Sequence, residues 1–102
     1  MSSNRRLSTR HSVEISASVS LGDDSFEGTL ENLSLGGAYL LVDRRLPMGA
    51  RVELSFRIPT HEQPIVTGAS VRWSSETAAG LQFDGLRARE VWSLNKYFEN
   101  LR

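Results

Sequence analysis

A chain of 102 residues with 39% hydrophobic residues, two Trp, two Tyr and four Phe is long enough for one core and too apolar for a disordered segment. It contains no Cys, which excludes disulfides, thiolate metal sites and thiol nucleophiles. Its formal net charge is zero, twelve basic residues against twelve acidic ones, but the two signs are not evenly spread.

The opening stretch, NRRLSTRHS from Asn4, sets Arg5, Arg6 and Arg10 close together, with no acidic residue before Glu14. Outside that cluster nine basic residues face twelve acidic ones. A basic arm on a mildly acidic body argues against a broad nucleic-acid surface and suits a small, discrete anion. Every basic residue but Lys96 is Arg, whose planar fork of donors grips phosphate or a guanine edge bidentately and stacks on flat rings. No apolar run follows the charges of the arm, so it does not read as a signal peptide, and no run approaches bilayer-spanning length. The expectation is one soluble cytoplasmic domain: an Arg-rich flexible arm over 1–12 and a folded body over 13–102.

From Val13 the chain alternates with period two, Val13, Ile15, Ala17, Val19 and Leu21 falling on one face, as in a half-buried strand. GDD at Gly22 to Asp24 is turn chemistry, and SFEGTLEN alternates again, which predicts a hairpin. SLGG interrupts the pattern before a third strand, AYLLVD, and RRLPMGA is a loop punctuated by Pro47 and Gly49. RVELSFRI, IVTGASVRW and the short LQF are three further strands, separated by PTHEQP and SSETAAG. Leu86, Val91, Leu94, Phe98 and Leu101 then fall at helical spacings, with Asp84 as the expected cap. Six strands without intervening helices imply an antiparallel meander or barrel, closed by one terminal amphipathic helix.

Two places break the local pattern. One is the Arg cluster, R-x-x-x-R from Arg6 to Arg10. The other is ENLSLGGAYL, where Asn32, Ser34 and Gly37 follow N-x-S-x-x-G. Asn and Ser two apart in an extended segment point the same way, and Gly36 and Gly37 permit positive φ and close approach of a ligand.

In this order and at this distance, the two motifs resemble the PilZ family of bacterial cyclic di-GMP receptors. LPMGARVELSFRIP, GASVRW and AGLQF are similar to further segments of that family, so the likeness runs from Arg5 to about Leu101. The resemblance implies a six-stranded antiparallel β-barrel with a C-terminal helix, and cyclic di-GMP as ligand rather than a cofactor. It implies that Arg6 and Arg10 clamp the nucleotide, that Asn32 and Ser34 bond its guanine or phosphate, and that Gly37 keeps the strand corner open, with Gly36 beside it. Family members with an Arg directly before the motif tend to bind an intercalated pair of ligands, and Arg5 holds that position. Some place an aromatic near the ligand from the strand that carries Trp73. The role implied is an adaptor, monomeric or weakly dimeric, that relays the signal to a separate protein. No nucleic-acid polymer and no membrane insertion are expected.

Plainer readings stand beside these. A basic arm can be a solvated tail, and Ser34 can serve an ordinary turn. Trp73 and Trp92, each on an apolar face, read as core, Trp92 flanking Val91; His11 and His61 read as surface residues without metal or triad spacing; Asp43 to Arg45 reads as a solvated loop. The alternative function is a PilZ-type protein-interaction module that has lost its nucleotide. A small barrel for single-stranded nucleic acid is third, and an enzyme last, since no nucleophile–base set or phosphate-cradling loop is visible.

Overall fold

Period-two alternation gives a sheet one wet face and one dry face, and a barrel is the closure that hides the dry one. In the computed structural model, which describes residues 9–101, six antiparallel strands close in this way. They are β1 (His11–Leu21), β2 (Asp24–Leu33), β3 (Gly37–Leu41), β4 (Arg51–Phe56), β5 (Ile65–Ser74) and β6 (Ala78–Phe83), followed by helix α1 (Ala88–Glu99). The order around the barrel is β1-β2-β3-β6-β5-β4, with β4 pairing back onto β1. Two three-stranded meanders are therefore joined by the segment 42–50, and the expected mainly-β fold class is the one observed.

Val19, Leu30, Leu40, Leu54, Ile65 and Ala79 come one from each of the six strands and are all fully enclosed, and Leu94 of α1 joins them. Burying each of the Val, Leu and Ile side chains contributes roughly 1.5–3 kcal/mol. Strand β1 starts at His11, so His11 and Ser12 belong to the barrel, paired with Leu33 and Asn32, and not to the arm. Strand β6 starts at Ala78, earlier than LQF suggests. Ala78, Ala79 and Gly80 are poor strand formers, yet they pair with Leu41, Leu40 and Tyr39 because β3 lies alongside.

The helix departs from expectation in two respects. Asp84 does not cap it: the Arg51 guanidinium on β4 donates to both Asp84 carboxylate oxygens. Arg87 takes the cap position, and its N–H donates to the Glu90 carboxylate at 2.9 Å. Trp92 is not core but 62% exposed. At about 100° per residue it lies some 200° round the axis from the buried Leu94, on the solvent side. Glu90, Ser93, Leu94 and Phe98 form the buried stripe instead.

Both histidines are half-buried against α1 rather than free on the surface. The His11 ring stacks on Phe98 with centroids 3.9 Å apart, and His61 Nδ1 lies 2.6 Å from Ser93 Oγ. The loop at Asp43 to Arg45 is likewise tied down. Arg44 donates to Asp24 at 2.8 Å while lying over the Phe26 ring, and Arg45 reaches the Ser74 carbonyl. Among the described residues no helix is long and apolar enough to cross a membrane.

Candidate functional site

Two β-bulges shape the outer surface around strands β3 and β6. On β2, Leu30 pairs with Leu40 and Asn32 with Tyr39, so Glu31 is an extra residue. On β5, Val71 pairs with Leu81 and Trp73 with Gly80, so Arg72 is extra. An extra residue breaks the in–out alternation and sends two consecutive side chains outward. Glu31 and Asn32 face out between the buried Leu30 and Leu33, and Arg72 and Trp73 both face out beyond the buried Val71.

Asn32, placed outward in this way, meets the root of the arm: Arg10 Nη1 donates to Asn32 Oδ1 at 2.8 Å. This bond links the two sequence motifs across the β1–β2 pair. Ser34 does not continue the line of Asn32. The strand ends at Leu33, period-two geometry ends with it, and Ser34 turns inward to 3% exposure. Its hydroxyl accepts the N–H groups of Gly36 and Gly37 at 3.1 Å and donates to the Gly37 carbonyl, while its own N–H donates to that carbonyl at 2.9 Å. Ser34 is the keystone of the β2–β3 turn.

Gly37 is required for closeness, not for positive φ: the glycines with positive φ are Gly22, Gly49 and Gly85, and neither Gly36 nor Gly37 is among them. A Cβ on Gly37 would lie 2.1 Å from the Leu81 carbonyl oxygen, so what presses on it is the neighbouring strand. Gly80 plays the matching part under Trp73. A Cβ there would lie 2.0 Å from the indole Nε1, which means the indole lies across the bare backbone of β6. Trp73 also meets Tyr39 with ring centroids 5.3 Å apart and stays 40% exposed.

Between the turn and the indole opens a cleft of about 360 Å³, lined by Arg10, Ser34, Gly36, Gly37, Arg72, Trp73, Gly80, Leu81 and Gln82. That volume falls within the usual range for small-molecule sites. Two arginines and no carboxylate line it, so it favours an anion with a flat apolar part. The structure thus brings Arg10, Ser34, Gly36, Gly37 and Trp73 together. Asn32 stands behind Arg10 rather than in the lining, and Arg5 and Arg6 lie outside the described residues. Arg72, Gly80 and Gln82 were not picked out from the sequence. The VRW and AGLQF segments contain them, but only the β5 bulge and the β3–β6 pairing turn them toward this cleft.

Comparison with solved structures shows the same fold. The PilZ domain of CeSA from a cellulose-synthesizing bacterium aligns with TM-score 0.70 at 17% identity, over 92% of this chain and 98% of its own. The Bacillus subtilis inhibitor of motility, MotI/DgrA, aligns with TM-score 0.72 at 18% identity over 91% of this chain, which spans about half (51%) of that protein's length. The PilZ domain of Escherichia coli YcgR with c-di-GMP aligns at 0.70, 16% identity, over 89% of this chain and 88% of its own. Among curated proteins none matches. The family model of the PilZ domain, by contrast, matches residues 4–100, through the arginine arm, the turn and all six strands, and the chain belongs to that family.

Proposed function

We propose that the protein is a receptor for cyclic di-GMP that binds the dinucleotide between its arginine arm and the outer face of the barrel and is then read by a partner protein. The observation that carries this reading is the Arg10–Asn32 bond at the lip of the cleft: it joins the arm motif to the N-x-S-x-x-G motif beside a carboxylate-free pocket. Two structural neighbours, the PilZ domain of E. coli YcgR and PlzA of Borreliella burgdorferi, are solved with c-di-GMP, which supports the choice of ligand.

Binding proceeds as closure. Arg10 exchanges its neutral acceptor, Asn32, for a phosphate or a guanine edge, and Arg6, four residues earlier on the same motif, takes the other side of the nucleotide. A charge-assisted bond of this kind contributes roughly 1.5–3 kcal/mol net. Arg5 gives the arm a further cation suited to a second, intercalated ligand. Asn32 sets the arm at the lip, and the Ser34 turn holds the floor where Gly36 and Gly37 leave the backbone bare. Nothing is chemically transformed, so the output is the surface formed by arm and nucleotide together, available to a protein that controls motility, adhesion or polysaccharide export.

Calorimetric titration with cyclic di-GMP, with GTP as control, tests this. Binding at micromolar concentration or tighter and selective over GTP is expected, with the stoichiometry reporting on Arg5. No heat and no thermal shift across a range of salt would instead leave a protein-interaction module without nucleotide.

A further inference from the structure

The β5 bulge points to a second arginine in the site. Arg72 lines the cleft together with Arg10, next to the exposed indole of Trp73 and on the strand paired with the one that carries Gln82. Arg10, Arg44, Arg45, Arg51 and Arg57 each hold a protein acceptor. The Arg72 guanidinium has no such partner among the described residues, and no carboxylate lines the cleft to neutralise it. A fixed strand carries it, whereas Arg10 sits at the end of an arm.

We infer that Arg72 reads the guanine base, and that it makes the site prefer guanine over adenine; this rests on the receptor reading above. Guanine presents two adjacent acceptors, O6 and N7, which match the two parallel donors of an Arg fork. Adenine offers a donor, its N6 amino group, where guanine has O6, so the same fork meets a repulsive group. The indole, lying across Gly80 and 40% exposed, supplies a platform on which the base stacks beside that fork. The bulge is what makes this possible. In a regular strand Arg72 and Trp73 would point to opposite faces, and only the extra residue sets cation and platform side by side.

The test is a titration of the full chain, and of Arg72→Ala and Arg72→Lys, with cyclic di-GMP and with cyclic di-AMP. Arg72→Ala is expected to weaken cyclic di-GMP binding by about 5- to 150-fold, the discrimination of one bidentate pair, while leaving the weaker cyclic di-AMP binding unchanged. Arg72→Lys keeps the charge but lacks the fork, and is expected to recover little of the loss. Unchanged cyclic di-GMP affinity in Arg72→Ala, with the parent binding normally, overturns this assignment alone. So does rescue by Lys with equal losses for both dinucleotides, which marks a phosphate contact. A parent chain that does not bind cyclic di-GMP at all overturns the receptor reading and this inference with it.

Discussion

Truncating Arg10 to Ala removes a charge-assisted donor from an exposed position and leaves behind only Asn32, which water can satisfy. On the receptor reading, cyclic di-GMP binding is therefore expected to fall by about 10- to 150-fold, with the melting temperature unchanged. Ser34→Ala should behave differently although it lies in the partner motif. It strips the buried turn of the acceptor for two backbone N–H groups, at a cost of about 1–3 kcal/mol, or roughly 4–8 °C of melting temperature per kcal/mol in a domain of this size. Melting curves and titrations run side by side on the two variants separate the roles: a Ser34→Ala protein that melts like the parent yet binds weakly would make Ser34 a ligand contact and not a keystone. The spacing of these motif residues was legible in the sequence, but their orientation was not. Spacing alone points Ser34 with Asn32, as in a continuous strand, but β2 ends at Leu33. The need for Gly37 comes from the Leu81 carbonyl, forty-odd residues away in the chain and beyond any local pattern.

Among the elements, strands were read more easily than the helix, and the reason is physical. A closed barrel gives each strand one wet and one dry face, so alternation survives wherever the register is regular. It fails at Glu31 and Arg72, where bulges that pairing alone reveals set Asn32 behind Arg10 and Arg72 beside Trp73 in the cleft. The helix covers the barrel with a stripe that includes Glu90 and Ser93, polar residues that count against burial in any hydrophobicity pattern. Their burial is tolerated because Glu90 accepts the Arg87 N–H and Ser93 contacts His61. Asp84, with the chemistry of a cap, instead ties the segment before α1 to β4. The hydrogen bond from Arg51 holds its carboxyl below the ordinary carboxylate value. A group depressed in the folded state stabilises the fold above its unfolded pKa, and that contribution disappears as pH falls through the lower folded value. The melting-temperature gap between the parent and Asp84→Asn is thus expected to be open at neutral pH and to close on strong acidification, as followed by melts across an acid pH series.

At the scale of the whole molecule, the start of β1 and the last turn of α1 meet on one contact. Arg10, the residue at the lip of the cleft, is followed directly by His11, whose ring lies flat on Phe98 near the end of α1. On the receptor reading, drawing Arg10 onto a nucleotide acts on His11 and so on how firmly α1 is seated. Saturating cyclic di-GMP is expected to slow amide hydrogen exchange in α1 of the parent, and to do so less in Phe98→Leu, which fills most of the space but offers no ring. Equal slowing in both proteins would rule out the stack as the route. Energetic coupling between two sites is the same from either side: whatever factor the nucleotide adds to the seating of the helix, a protein that clasps the seated helix adds to the affinity for nucleotide. On that same reading, a cell with more of such a partner would hold the chain in its occupied state at a lower level of nucleotide, so the threshold of the signal would belong to the pair and not to the barrel alone.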